Sequence, residues 1–213
     1  MRRFLLVPLA ALLLAAPAAA RAADCAQSAD GRPLATGSGN ASAKADTKGK
    51  ARLGAERAAF LDGLSKLKAC LGEKAKTVTG WSITEVRYYD ADPIVEVDVA
   101  AAFDAAPQIT VLGSALPNLD KGADNVKKIR LETQRAATAV AQRNAMEALA
   151  VVFPEGEGGD LRQQLAGSLG ACQIVDITYW SDQAVTVKST CGKDVKATSV
   201  EGHDAPALQK RAK

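Results

Sequence analysis

Apolar residues recur with two periods along this chain, and the changes of period mark out its elements. Leu53, Phe60, Leu64, Leu67 and Leu71 follow one another at spacings of seven, four, three and four, which puts them on one face of a helix ending near Gly72. Trp81 to Tyr89 and Ile94 to Val99 then read as strands, the second by strict alternation in Val95, Glu96, Val97, Asp98 and Val99. Asp90, Ala91, Asp92 and Pro93 are turn formers and supply the connection. The same order returns further on. Asp124 is placed to cap a helix carrying Val126, Ile129, Ala136, Val140 and Leu149, which Pro154 and the glycines after it end. A short helix from Asp160 to about Leu169 follows, then strands at Gln173 to Trp180 and Ala184 to Ser189 around the turn Ser181-Asp182-Gln183.

The two zones also correspond residue by residue. Ile83, Val86, Tyr88 and Tyr89 match Ile174, Ile177, Tyr179 and Trp180 at an offset of 91, and Val95 and Val97 match Val185 and Val187 at 90. The helices align in two registers. Leu53, Arg57, Ala58 and Ala59 match Leu131, Arg135, Ala136 and Ala137, or Ala55, Arg57, Ala59 and Phe60 match Ala141, Arg143, Ala145 and Met146. The pattern predicts a duplicated helix-strand-strand unit with copies at 49–103 and 124–191.

Neither a helix with one apolar stripe nor a hairpin with one apolar face can bury itself alone. The expected fold is therefore α+β, a two-layer sandwich of one antiparallel sheet backed by two helices. The inward sets would be Val86, Tyr88, Val95 and Val97 in the first hairpin, and Val175, Ile177, Tyr179, Val185 and Val187 in the second. Pairing Tyr179 with Val185 leaves Cys172 and Cys191 at the open end of their hairpin but on opposite faces, so a bond between them requires a bulge.

The ends of the chain read differently. Residues 1–22 have a positive start at Arg2 and Arg3, an apolar stretch from Phe4, and small residues ending Ala20-Arg21-Ala22, the layout of a secretory signal. Residues 23–48, mostly Ala, Ser, Gly, Asp, Lys and Thr, show neither period and read as a flexible leader, and 192–213 read as a flexible tail. With 47% hydrophobic residues the remainder can build a core. Removing the three arginines of the signal leaves 24 basic against 24 acidic residues, so the mature chain is neutral. Neutrality and only 4% aromatic residues argue against a nucleic-acid partner.

Four cysteines, Cys25, Cys70, Cys172 and Cys191, in an exported chain predict two disulfides, and the closeness of the hairpin ends favours Cys172 with Cys191 and Cys25 with Cys70. No close Cys-x-x-Cys pair is present, and the one histidine, His203, sits in the polar tail, so neither a metal nor another cofactor is expected. Cys25 just after a signal could carry lipid, but Asp24 stands where a lipobox has a small uncharged residue. The expectation is a periplasmic or extracellular protein, anchored at the outer membrane only if Cys25 is lipidated.

Ala55-Glu56-Arg57-Ala58-Ala59 and Ala141-Gln142-Arg143-Asn144-Ala145 with Ala148-Leu149, each set before a hairpin, resemble the helix-plus-hairpin domains of the Lpp-twenty-like envelope lipoproteins and related flagellar-envelope proteins. The resemblance implies an exported, non-enzymatic protein of the outer membrane or its appendages, and it departs from the family at the lipobox.

Candidate chemistry is sparse. Asp90 and Asp92 read as turn acids rather than a calcium site. Glu155-Gly156-Glu157-Gly158-Gly159-Asp160 carries acids where a phosphate loop needs none, and reads as a loop that caps a helix. His203 has no nucleophile placed to act with it, so no catalytic residue is expected. Tyr89 and Trp180 hold equivalent places near the two hairpin tips; left open to water they form a binding patch, and covered they are core. These features predict a non-catalytic cell-envelope protein that binds an envelope protein or glycan. A small-ligand pocket and an Asp/Glu-dependent hydrolase are the rival readings.

Overall fold

The computed structural model describes residues 25–40, 44–90, 94–103, 106–118, 126–154, 156, 158–169, 172–192, 195–196 and 198–210. The expected signal segment 1–22, the expected turn residues 91–93 with Asp92, the expected cap Asp124, and Glu155 and Glu157 lie outside them. Along the chain come β1 (Ala26–Gln27), β2 (Pro33–Asn40), α1 (Lys48–Leu71), β3 (Gly80–Tyr88), β4 (Ile94–Ala102) and β5 (Gln108–Ala115). Then come α2 (Val126–Val152), α3 (Gly159–Ser168), β6 (Cys172–Tyr179), β7 (Val185–Gly192) and β8 (His203–Asp204). The fold is mixed α+β, with one eight-stranded sheet in the order β1-β2-β4-β3-β5-β7-β6-β8 and three helices among the described residues.

Both hairpins form, and both helices pack where the apolar stripes require. α1 starts where the Thr47 hydroxyl accepts from the Lys50 N–H at 3.2 Å, and ends at Gly72, whose φ of 55° suits a residue without Cβ. It lies on β2 and β4, and α2 lies on β5 and β7. Arg57 of α1 joins the helices through Glu147 of α2 at 2.7 Å. Phe60 and Leu64 from α1 and Val95, Val97 and Val99 from β4 are fully enclosed.

The leader is a correction. Residues 33–40, expected to be flexible, form β2 along most of β4, from Leu34 opposite Ala100 to Asn40 opposite Ile94. Its small residues are the reason it sits there. A Cβ on Gly37 would lie 1.9 Å from the Ala59 carbonyl oxygen and 2.2 Å from the Gly63 nitrogen, so α1 touches the strand backbone to backbone. β5, which none of the apolar periods read from the sequence marks out, repeats the arrangement, because a Cβ on Gly113 would lie 2.2 Å from both the Ala137 carbonyl oxygen and the Ala141 nitrogen of α2. The outward backbone of β2 is covered as well. Its Ser38 N–H donates to Asp62 at 2.9 Å, and Lys66, paired with Asp62, donates to the Thr36 carbonyl.

The sheet is not wholly antiparallel as expected, since β3 with β5 and β6 with β8 run parallel. The tail is also a correction, because β8 adds to β6 and Gln209 bridges to Tyr89. In the first hairpin, Val86 opposite Val97 and Tyr88 opposite Val95 give the expected inward set. In the second, Tyr179 opposes Val185 as expected, but Val175 falls at a bulge between Ile174 and Asp176 and is 40% exposed. That bulge changes the parity of the strand, so Cys172 comes opposite Cys191 and bonds to it. Cys25 bonds to Cys70. Two disulfides point to an oxidising compartment outside the cytoplasm. No helix of the described residues is long and apolar enough to cross a membrane.

Two predictions follow from this packing. Gly37→Ala and Gly113→Ala, measured by urea denaturation, should each cost about 3 kcal/mol or more because backbone must move, whereas Gly54→Ala, which meets open space on α1, should gain about 0.5–1 kcal/mol. Opening the bridges singly by Cys→Ser pairs should cost about 4 kcal/mol for the bridge with sequence separation 45 and about 3 kcal/mol for the bridge with separation 19. Equal losses would speak against the loop-entropy account.

Candidate functional site

β3 and β5 pair at only two positions, Gly80 with Gln108 and Trp81 with Ile109. Beyond them the strands part. Further along, the tail closes the gap. β8 pairs with β6 at Thr178 and Tyr179, and Gln209 bridges to Tyr89 at the end of β3. The backbone thus makes a ring through β3, β5, β7, β6 and the tail, and inside it lies a cleft of about 320 Å³. Its floor is Ile83, Val86, Tyr88 and Leu112, and its polar lining includes Glu85, Asp176, Thr178, Lys188, His203 and Asp204.

The histidine is the reactive type nearest the mouth. Nδ1 lies 2.9 Å from the Asp204 carbonyl oxygen and Nε2 lies 2.8 Å from Asp176. Both partners are acceptors, so the protonated ring is the form that can satisfy both at once. The Asp204 carbonyl first, and Asp176 after it, raise the His203 pKa above its usual value. The pair ties β8 to β6 most firmly below the ordinary histidine pKa, and its contribution fades as pH rises through the raised one. Glu85, also on the lining, is paired with Arg87, which Asp98 and Glu96 hold from the same face of the sheet.

The inner wall carries a polar joint. Glu56 of α1 is 2% exposed and accepts from Ser114 of β5 and from Thr186 of β7, the latter at 3.2 Å. Next to Ser114, Gly113 faces α2, so by strand alternation Ser114 projects from the other side of β5. The first half's helix therefore grips the side of the second half-sheet that α2 leaves bare. Trp180 Nε1 donates to Thr186 Oγ1 at 2.9 Å, its ring meets Tyr88 edge-on with centroids 4.7 Å apart, and the Arg52 guanidinium lies 3.8 Å above it. Arg52 also bonds Asp182 at 3.0 and 3.1 Å.

The structure separates the residues singled out in the sequence. Trp180 is 7% exposed and part of the core, so it is not half of an open aromatic patch. Tyr89 is half-buried, with its hydroxyl on Glu96 at 2.9 Å, and lines a second cavity of about 330 Å³ together with Arg52, Ile94, Val95, Asp90 and Leu208. Asp90 is exposed there and its N–H donates to Gln209. Gly158 caps α3, in line with the helix-cap reading. Among the described residues no group of three or more His, Cys, Asp or Glu side chains could hold a metal ion. Sequence reasoning missed Asp176, Lys188 and Glu56. The first two are opposite charges set directly across the second hairpin. Glu56 fills the gap of seven in the apolar stripe, three after Leu53 and four before Phe60, which was a legible sign of burial.

Burial pushes the Glu56 carboxyl above the ordinary glutamate value, against the opposing pull of Ser114, Arg52, Tyr88 and Thr186. An acid with a raised folded-state pKa adds most stability below its unfolded value near 4.5, and that part is lost as pH rises through the folded value. Glu56→Gln should flatten the dependence of melting temperature on pH above 4.5, while Glu56→Ala strands two buried hydroxyls and should cost about 2–4 kcal/mol. Melting curves for the three proteins across a pH series test this; an unchanged slope in Glu56→Gln would place the titration elsewhere.

No family model, no curated protein and no solved structure matches this chain.

Proposed function

We propose that this chain is an exported cell-envelope protein that acts without catalysis, by holding another macromolecule at the strapped cleft. The observation that carries the reading is the strap itself. Residues 203–209 cross between the two hairpin tips with a cavity on either side, over an apolar floor. The cleft's His203, Asp176 and Glu85 are tied to partners within the chain, an arrangement that shapes a surface rather than freeing a reactive group. Glu56, the acid with the raised pKa, borders a small cavity of about 220 Å³ but is 2% exposed and is engaged by Ser114 and Thr186, which disfavours the hydrolase reading. The two disulfides favour an extracytoplasmic setting such as the periplasm.

The same reading includes a duplication of a strand-helix-hairpin unit, stacked as two layers. In its favour, β2-α1-β3-β4 and β5-α2-β6-β7 share one order, and each first strand pairs with the last. The bulges at Thr84 and Val175 stand 91 residues apart, the hairpin offset. Ala59 and Gly63 against Gly37, and Ala137 and Ala141 against Gly113, favour the helix register with offset 78. A second reading, a small-ligand module, is favoured by the cleft's volume of about 320 Å³ and its apolar floor with a few polar groups.

Both can be tested in the native host's envelope. A photoreactive residue at Thr84, which lines the cleft from β3, should give a discrete protein or glycan adduct that the same residue at exposed Gly54 does not give. The intact mass of the unmodified chain should begin at Ala23 and rise by four hydrogens on reduction. Absence of any macromolecular adduct, with a small-molecule mass increment in its place, would favour the second reading over the first.

A further inference from the structure

The partner class can be read from how the strap is held. Backbone hydrogen bonds hold it at the hairpin tips: Ala205 N–H to the Tyr179 carbonyl at 2.9 Å, Gln209 N–H to the Tyr88 carbonyl at 2.8 Å, and Asp90 N–H to the Gln209 carbonyl at 3.2 Å. Of residues 201–210 only Ala205 is even half-buried. The segment therefore keeps its place through strand-type bonds and contributes little buried surface. His203, Asp204 and Pro206 line the cleft, and Leu208 lines the second cavity while remaining 50% exposed. Cavities of about 320 and 330 Å³ stay open beside these side chains, so the strap fills neither.

We propose that the strap occupies a strand-addition site, and that the partner is an extended peptide which displaces it and carries large apolar side chains at the alternate positions now held by Pro206 and Leu208. Main-chain bonds to Tyr179 and Tyr88 would supply register, and the two cavities would supply selectivity. The strap has the advantage of being tethered to its site, so a partner must gain from filling the cavities what it lacks in local concentration. This rests on the binding reading above and narrows it to one chemistry.

The test uses the full chain and labelled peptides spanning Val200–Lys210, read by fluorescence anisotropy. A chain with Ala205→Pro and Gln209→Pro, which removes the two strap N–H donors, should bind the native-sequence peptide. A peptide with Leu208→Phe should bind it about 5–10-fold more tightly, and a peptide that itself carries Ala205→Pro and Gln209→Pro at least about tenfold more weakly. The unaltered chain should bind each peptide more weakly than the double-proline chain. Independently, saturating Leu208→Phe peptide added to the unaltered chain should speed hydrogen exchange at the Ala205 and Gln209 amides. If the double-proline chain does not melt cooperatively, this exchange experiment alone decides. Unchanged exchange, or binding indifferent to the residue at 208 and to the backbone donors, overturns the proposal. Macromolecular adducts at Thr84 together with peptides that fail to bind would leave the binding reading standing and remove strand addition.

Discussion

The arrangement of this protein depends on a carboxyl group that is almost wholly buried. Glu56 lies on the helix of one half and takes its hydrogen bonds from strands of the other, on the side of those strands that their own helix does not cover. β3 and β5 pair at only two positions, beside which the Trp81 indole N–H donates to the Thr110 carbonyl, so the angle between the half-sheets is set by what fills the space beyond them. Glu56, Ser114, Thr186, Trp180 and Arg52 fill it with bonds that have direction, which an apolar contact would not have. Removing Glu56 takes away the acceptor that the buried Ser114 and Thr186 hydroxyls share. The cleft and its strap follow from that fixed separation.

The hairpins and long helices were legible because their side chains carry the period. The bulge in β6 was legible through the chemistry of its end: an odd loop puts Cys172 and Cys191 on opposite faces, and one extra residue restores the pair. Val175 was placed wrongly because it is that extra residue. β2 was illegible for a physical reason. A strand that touches a helix through its backbone must be made of residues with little or no side chain, and such a stretch looks like a linker. β8 was illegible because it is held by backbone bonds, which leave no mark on side-chain periodicity.

Less of the site could be read than of the fold. Trp180 and Tyr89 are equivalent in sequence, yet the half-sheets meet asymmetrically, so one tip aromatic is packed under Arg52 while the other lines a cavity. His203 gains its partner across 27 residues of chain, which no local pattern announces. Glu56 is the exception, since a charged residue in phase with Leu53, Phe60 and Leu64 has to be buried or to break the stripe.

Stability is then distributed unevenly by design of the connections. The covalent bridges sit at the ends of the sheet remote from the strap: Cys172 and Cys191 lock the open end of the β6–β7 hairpin, while the strap crosses its tip at Tyr179. Cys25 and Cys70 tie the start of the described chain to the end of α1. The strap has only a few backbone bonds and one exposed ion pair between His203 and Asp176, a type that contributes little in water. A segment so held opens at far lower cost than the stapled sheet beneath it. Its departure would bare the Tyr88 and Tyr179 carbonyls at two strand ends whose spacing the Glu56 joint keeps fixed, so opening the strap exposes a preformed edge rather than loosening the fold.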